Sequence, residues 1–364
     1  MEKFIADNLD YWKDKKWKID YNKLKGIHIK INNKNIEYKY IILKKNHRFT
    51  FVKKILNKVT TYKNNLNVSF ILSFDDEYLK NKHKIYNFSD KVYKNNNKLE
   101  YKFGICKNDE NIMKIEEGKI KNCSFPIFTF NKIQDGMIIF PHKNILNNFK
   151  FDLNNFETKK DNIIYRYSNI RANLFLDTRI KLTELSYKNP YLFDFKGGYN
   201  DKNPYHNNYI LPKVFLKYYK HKKIIDENIN EDKFIEYFNV NNYIKKDELI
   251  NNKFLICCDS WYNGYEYSFT NSILFRYKLD KAKYYEDFFL EGNKDYIIFD
   301  ENNLEEKYNY VKNNLDYYKD NIKNRHEKVK DYLTTEKIAE FYGNFLEEYS
   351  KLQKTNEINL NKFG

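Results

Sequence analysis

Short apolar runs alternate with segments of helical spacing along both halves of this chain. In the first half, the helical pattern "FTFVKKILNKVTTYKNN" precedes the strand-like run "LNVSFILSF"; in the second half, "DTRIKLTELSYKN" precedes "YLFDF". Such short apolar runs are typical of buried strands. Strands that alternate with helices predict an α/β fold, and two such halves predict two lobes with a cleft between them.

The stretch from residue 147 to residue 162 is polar and has no long apolar run. We place a domain boundary there, which predicts an N-terminal α/β domain over 1–155 and a second, Rossmann-like domain over 156–333. Residues 334–364 are predicted to form a C-terminal helix and tail that pack back toward the first domain. Thr334 or Thr335 is the predicted N-cap of that helix. Residues 1–25 are predicted to be helical, and a β-hairpin is predicted to follow them.

The net charge of +15 comes from 65 basic and 50 acidic residues among 364. A basic chain can bind nucleic acid or another anion. However, lysine, asparagine, isoleucine and tyrosine are all abundant, as AT-rich codons produce, and the basic and acidic residues are mixed along the chain. A positive field that attracts a nucleotide diphosphate therefore explains the charge as well as nucleic acid does, and we expect no nucleic-acid partner.

The sequence lacks the signatures of several protein classes. It contains no GxGxxG or Walker loop, no HExxH or paired-cysteine spacing, and no GxSxG elbow, so we expect neither a metal nor another cofactor. The four cysteines are expected to be buried thiols. No apolar run reaches signal-peptide or membrane-span length, which predicts a cytoplasmic protein without a membrane span.

Asp75 and Asp76 end the apolar run "NVSFILSF". Ligands of open α/β sheets bind outside the carboxyl ends of the strands. A carboxylate at that place can act as a general base, although aspartate is also common as a helix N-cap or in a solvated turn. These two residues are therefore candidate catalytic groups.

Further candidates follow the strand-like runs of the second half. "YRYSNIR" offers Arg166, Ser168 and Arg171, whose guanidinium and hydroxyl groups suit a diphosphate, or ordinary surface salt bridges. Asp194 precedes a glycine pair, and Gly264 follows Asn263 in "DSWYNGYEYS". Each glycine fits either a tight turn or a backbone that passes close to a ligand.

Three segments of the second half resemble glycosyltransferase family 90, which includes protein O-glucosyltransferases and capsule-associated xylosyltransferases. They are "RIKLTELSYKNPYLFDF", the long block "KFLICCDSWYNGYEYSFTNSILFRYKLDKAKYYEDFFLEGNKDYIIF", and "NLEEKYNYVKNNLDYYKDN" with the last helix. A fainter likeness in "FILSFDD", "FPIFTFNK" and "MIIFP" extends it into the first half. The similarity covers roughly residues 66 to 350, in order and spacing more than in identity.

The resemblance implies a GT-B fold, with two Rossmann-like domains facing across a cleft that holds a nucleotide sugar. It also implies metal-independent transfer, with inversion, from a UDP-sugar to a hydroxyl of a glycan, protein or lipid-linked acceptor, with glucose or xylose as the expected sugar. Asp76 matches the family's acceptor base, with Asp75 beside it. The residues that we expect around the donor, from the resemblance or from their place after the strand-like runs, are Arg166, Ser168, Arg171, Arg179, Asp194, Asp259, Gly264, Glu266, Lys278 and Glu286.

One position departs from the family, which usually has an arginine soon after the donor loop. Here that stretch reads "GYEYSF", and Arg171, Arg276 or Lys278 can substitute from nearby. The alternative to an active enzyme is therefore a non-catalytic relative that binds a sugar or nucleotide. A basic nucleic-acid-binding protein is a third hypothesis, which the charge alone supports.

Asp76→Asn tests the predicted base. We expect this substitution to abolish sugar transfer while UDP still binds, because the amide cannot accept the acceptor proton. Transfer rates and UDP affinity are the two measurements. Full activity of the variant would remove Asp76 from this role.

Overall fold

The computed structural model describes residues 2–17, 26–41, 48–72, 93–95, 98–100, 126–130, 136–141, 150–167, 176–197, 216, 219–220, 223–238, 242, 244–258, 265–278 and 284–356. The statements that follow concern these residues.

The first sheet has five strands, in the order β2-β1-β3-β6-β7. Strand β1 pairs antiparallel with β2 and β3, whereas β3, β6 and β7 run parallel. Two further strands, β4 and β5, form a separate antiparallel pair. The bounds are β1 Gly26–Asn32, β2 Asn35–Ile41, β3 Asn67–Leu72, β4 Tyr93–Asn95, β5 Lys98–Glu100, β6 Ile127–Thr129 and β7 Met137–Ile139.

The second sheet has five parallel strands, in the order β12-β11-β10-β8-β9. Parallel strands need crossover connections, and helices usually supply them. The bounds are β8 Lys160–Tyr167, β9 Phe193–Gly197, β10 Asn252–Cys257, β11 Ile273–Tyr277 and β12 Ile297–Phe299.

Helices accompany both sheets and dominate the end of the chain. They are α1 Glu2–Lys13, α2 Arg48–Tyr62, α3 Leu176–Lys188, α4 Glu231–Ile235, α5 Lys246–Leu249, α6 Leu304–Asn313, α7 Leu315–Lys328 and α8 Thr335–Thr355, with 3₁₀ turns at Phe156–Thr158, Glu236–Phe238 and Tyr285–Phe288 and a π-helical turn at Val329–Leu333. This confirms the predicted α/β class with two sheets and C-terminal helices, as in a GT-B-like architecture.

No helix among the described residues combines the length and apolarity that a membrane crossing needs.

The N-terminal helix is shorter than the sequence predicts. Helix α1 ends at Lys13, and residues 15–17 are not helical, so a helix over 1–25 is wrong at its C-terminal end. The reason is tertiary packing. The indole of Trp17 lies parallel to the ring of Tyr349, with centroids 6.1 Å apart, and its backbone N–H donates to Asn356 Oδ1.

Two large apolar cores accompany the two sheets. The first contains α1, α2, the strands of the first sheet and the apolar side of α8, together with Tyr265, Tyr284 and Tyr285 from the second half of the chain. The second core lies on one face of the second sheet, against α3, α6 and α7. A smaller cluster around Ile164, Leu255 and other residues covers the opposite face. The strands of the second sheet are therefore buried on both faces, which explains their continuous apolar runs.

Helix α8 is joined to the first sheet by a side-chain amide. The backbone N–H of Ser69 donates to Gln353 Oε1 at 3.0 Å, and Gln353 Nε2 donates to the Ser69 carbonyl at 2.5 Å. Ser350 Oγ donates to the Asn67 carbonyl at 2.5 Å. Strand β6 pairs with β3 only from Ile71 onward. Gln353 thus satisfies backbone groups that β6 does not reach.

Helix α7 is joined to the second sheet by a buried arginine. Arg325 donates to the carbonyls of Ser268 at 3.2 Å, Thr270 at 2.6 Å, Ser272 at 2.9 Å and Asp295 at 3.1 Å. Burial lowers the pKa of its guanidinium to about 10. Ser268, Thr270 and Ser272 precede β11, and Asp295 precedes β12. The bonds of Arg325 therefore hold the starts of both strands against α7.

The Gln353 contact predicts a stability change that can be measured. Gln353→Leu keeps side-chain size but leaves the Ser69 N–H and carbonyl buried without partners, which should cost ~1–3 kcal/mol of unfolding free energy. Lys351→Ala, an exposed change on the same helix, is the control and should cost under ~0.5 kcal/mol. Urea denaturation measures both, and equal midpoints for the two variants would contradict a structural role for the amide.

Candidate functional site

The order of the second sheet defines where a ligand can bind. Strand β8 comes first in the sequence and β9 lies on one side of it, whereas β10, β11 and β12 follow on the other side. The direction of winding therefore reverses between β8 and β10. In open parallel sheets, ligands bind at this switch point, outside the carboxyl ends of the strands.

The N-terminus of α3 follows β8 and carries a cation in its first turn. Arg179 is 8% exposed, and its guanidinium carbon lies 5.3 Å from the ring centre of Tyr167, the last residue of β8. The first N–H groups of a helix have no intrahelical partners, and the helix dipole favours negative charge there. A helix N-terminus with an arginine beside a switch point can bind a phosphate or diphosphate.

Two tyrosines and a cysteine lie near Arg179. The Tyr167 hydroxyl lies 2.7 Å from Thr183 Oγ1, and the Tyr165 hydroxyl lies beside the Cys258 thiol. Burial raises the pKa of Cys258 to about 12, so it stays a thiol at neutral pH. Cys258 itself therefore adds no negative charge beside the arginine.

A second polar group fixes α3 to the carboxyl ends of β11 and β12. Glu301 accepts from the Tyr277 hydroxyl at 2.5 Å and from Lys181 Nζ at 2.7 Å. Burial acts to raise the pKa of Glu301, but these two donors outweigh it and lower the pKa. The charged carboxylate therefore holds the first two turns of the helix at the edge of the sheet.

Arg166 and Asp194, both predicted donor-site residues, contact each other. Arg166 Nη2 donates to Asp194 Oδ2 at 2.6 Å, and its Nη1 donates to the carbonyls of Asp194 at 2.5 Å and Tyr165 at 3.1 Å. Its Nε donates to the Asn242 carbonyl at 3.1 Å. Four of the five N–H groups of Arg166 are thus bonded within the protein, so this arginine braces β8 against β9.

Burial acts to raise the pKa of Asp194, yet the pKa is lowered, because Arg166 and Lys196 favour the charged carboxylate. Lys196 Nζ lies 3.3 Å from Asp194 Oδ1. The carboxylate is therefore ionised at neutral pH and already holds two cations.

On the same face of the sheet as Arg166 and Asp194, opposite to the face that carries Tyr167, Arg276 at the end of β11 is surrounded by acids. Its guanidinium forms two hydrogen bonds with Asp287, one of them at 3.1 Å, and lies over the rings of Tyr284 and Tyr296. Burial acts to lower the pKa of Arg276, but the carboxylates of Asp287 and Glu286 outweigh it and raise the pKa. Arg276 is thus neutralised within the protein.

Glu266 and Glu286 come from two separate segments and are 6% and 1% exposed. Burial raises the pKa of the Cys257 thiol to about 12; Arg276 and Arg325 act against this increase, and both glutamates add to it. Both predicted residues are therefore buried close enough to the carboxyl end of β10 for their charges to affect Cys257. The partnership of Arg276 with Asp287 was not predicted from sequence, although Asp287 follows Glu286 directly in "YYEDFF".

The remaining predicted residues fall in two groups. Lys278 is exposed, and its backbone N–H donates to the Phe299 carbonyl at 2.7 Å. The residues that lie outside the described part of the chain are Asp75, Asp76, Ser168, Arg171, Asp259 and Gly264. Within the described residues, no group of three or more histidine, cysteine, aspartate or glutamate side chains is arranged to hold a metal ion.

No protein-family model and no curated protein matches this chain. Solved structures that are similar to parts of it include the following two. A crystal structure of TarM is 15% identical with a TM-score of 0.38, and the similarity covers 58% of this chain and 39% of that one. The C-terminal domain of LpcC, a glycosyl transferase group 1 family protein from Francisella tularensis, is 9% identical with a TM-score of 0.32. The similarity covers 52% of this chain and 97% of that one.

This chain therefore spans 39% of the length of TarM. Similarity of this size does not assign the chain to a family, so the resemblance to glycosyltransferase family 90 stays a prediction.

The Arg166–Asp194 pair predicts a pH-dependent stability. Because the folded-state pKa of Asp194 is lowered, its contribution is present at neutral pH and is lost as the pH falls through that pKa, below the ~3.9 of an ordinary aspartate. Asp194→Asn should cost ~1–2 kcal/mol at pH 7, since a hydrogen bond to a charged group is removed. Urea denaturation at several pH values should show this cost shrinking at acid pH. A cost that does not change with pH would mean that the charge is not what stabilises β9.

Proposed function

We propose that this chain is a glycosyltransferase that moves a sugar from a nucleoside-diphosphate donor to an acceptor hydroxyl. The observation that carries the proposal is the position of Arg179, in the first turn of α3 beside the switch point of the second sheet. A diphosphate needs positive charge and N–H donors in one place. The predicted α/β architecture with two sheets and the sequence resemblance support the same class of reaction.

Arg179 is distinguished from the other arginines described at this edge of the sheet by its place on a helix. It lies in the N-terminal part of α3, where the first N–H groups have no intrahelical partners, and its guanidinium lies beside Tyr167 at the carboxyl end of β8. Arg166 and Arg276 instead lie within strands and bond to Asp194 and Asp287. The arginine that the family has after its donor loop is therefore replaced, in this proposal, by Arg179 together with the helix N-terminus.

The finer assignments rest on the resemblance. The donor is a UDP-sugar, with glucose or xylose as the sugar, and the reaction inverts the anomeric configuration. Asp76, with Asp75 adjacent, removes the proton of the acceptor hydroxyl as the acceptor oxygen bonds to the anomeric carbon and the bond from that carbon to the UDP oxygen breaks. The charge that develops on the departing UDP is stabilised by Arg179 and the dipole of α3, and no metal is required for that step.

A second function is a non-catalytic relative that binds the nucleotide or sugar. The pairing of Arg166 and Arg276 with carboxylates favours it, because it leaves less positive charge for a leaving diphosphate. An assay of the purified protein with a UDP-sugar distinguishes the two functions. Hydrolysis of the UDP-sugar or transfer of its sugar requires a catalyst, so either result would exclude the non-catalytic relative.

The experiment that tests the proposal is titration of the purified chain with UDP, GDP and uridine. We expect UDP to bind and to raise the melting temperature by mass action. Arg179→Met should weaken UDP binding about 10- to 100-fold, because hydrogen bonds to a charged group are lost, and should leave uridine binding almost unchanged.

Lys188→Met is the matched control, since it removes a cation at the opposite end of the same helix. UDP binding should be unchanged in this variant. Equal weakening by both substitutions would attribute the effect to general charge. No binding of any nucleotide by the wild-type protein would contradict the proposed function.

A further inference from the structure

Strand β2 ends the first sheet and carries two opposite charges on one face. Among the strands described, it pairs only with β1. Glu37 and Lys39 are exposed, whereas Ile36 and Tyr38 are partly buried against the first core. The ring of Tyr38 packs on Phe49, with centroids 5.0 Å apart. One face of the edge strand is therefore anchored and the other presents an acid and a base two residues apart.

The hairpin geometry decides which backbone groups of β2 face outward. Strands β1 and β2 are joined by the two residues Asn33 and Lys34, and Asn33 has a φ of 57°. In a two-residue hairpin the pair that flanks the loop, Asn32 and Asn35, exchanges both hydrogen bonds, and bonded pairs then alternate along the ladder. The N–H and carbonyl groups of Ile36, Tyr38 and Tyr40 therefore point away from β1, toward the side of β2 on which no described strand pairs.

A second copy of the same strand complements both the backbone and the charges of this edge. If two β2 strands pair antiparallel about a two-fold axis at Tyr38, the outward backbone groups of the two strands face each other. The same register places Glu37 opposite the partner's Lys39, and Lys39 opposite the partner's Glu37. These positions are non-hydrogen-bonded pairs, in which facing side chains are closest.

The neighbouring registers that keep the backbone bonding bring like charges together. One of them places Lys39 opposite the partner's Lys39, and the other places Glu37 opposite the partner's Glu37. Like charges directly opposite each other destabilise a strand pair. The charge pattern therefore selects one register, and it is compatible with a symmetric, isologous contact.

We propose that two copies of this chain associate through β2, antiparallel and centred on Tyr38, so that their first sheets join into one. This contact adds two reciprocal Glu37–Lys39 ion pairs and uses backbone groups at the edge of the sheet, as in other cases of strand addition. The proposal is independent of the proposed enzymatic function, because it involves neither the second sheet nor Arg179.

Exchange of the two charges tests the contact. Glu37→Lys should weaken self-association about tenfold or more, since each facing pair becomes two lysines, and Lys39→Glu should do the same with two glutamates. The double variant Glu37→Lys/Lys39→Glu restores opposite charges and should recover wild-type association. Both side chains are exposed. Within one chain, however, Glu37 faces Lys30 and Lys39 faces His28 across the hairpin, so Glu37→Lys also sets two lysines opposite each other, whereas Lys39→Glu does not. Circular dichroism and the melting temperature measure this effect on the fold separately from association.

A mixture of the two single variants gives the sharpest result. Each variant alone should be largely monomeric, whereas an equimolar mixture should form a heterodimer. In that heterodimer the introduced lysine at position 37 faces the introduced glutamate at position 39, and the native Lys39 faces the native Glu37. Sedimentation velocity over a range of concentrations, at low and high salt, measures the association. A monomeric wild-type protein at all concentrations, or single variants that associate as the wild type does, would overturn the proposal.

Discussion

The parallel pairing of β8 with β10 is the contact on which the candidate site depends. It aligns Phe254 with Ile163 and Leu255 with Ile164, and so brings the carboxyl ends of two strands that are about 90 residues apart in sequence to one edge. The chain leaves β8 toward the N-terminus of α3 and leaves β10 at Cys258. The pairing of the two strands, rather than a sequence motif, therefore creates the site.

Cations at both ends of the second sheet are paired within the protein, so the net charge does not describe its electrostatics. Arg166 and Arg276 bond to carboxylates, Lys159 bonds to Asp152, and Arg325 bonds to four backbone carbonyls. Buried cations must be satisfied in this way, because an unpaired buried charge is costly. A total of +15 therefore says little about where an anion binds, and the position of a cation relative to a helix N-terminus says more.

Segments of the second half of the chain belong to the first core, and this ties the residues from Tyr265 onward to the first sheet. Tyr265 is 1% exposed and donates to the Leu333 carbonyl at 2.5 Å. Tyr285 contacts Phe4 of α1 edge-on, with ring centroids 5.5 Å apart. Helix α8 then bonds to β3 through Gln353. These contacts join residues that are far apart in sequence. The local hydrophobic pattern of each segment therefore does not indicate that the segments contact each other.

The sequence by itself determined the kind of each main element. Runs such as "KFLICC" and "NIIYRY" became strands because apolar residues on both faces require cover on both sides, and Thr334 caps α8 because its hydroxyl accepts from a first-turn N–H. Only the tertiary structure decided that α1 stops at Lys13, that Arg166 pairs with Asp194, and that Arg276 pairs with Asp287. Those outcomes depend on strand order and on packing between distant segments, which hydrophobic spacing does not encode, since local periodicity specifies which face is buried but not what covers it.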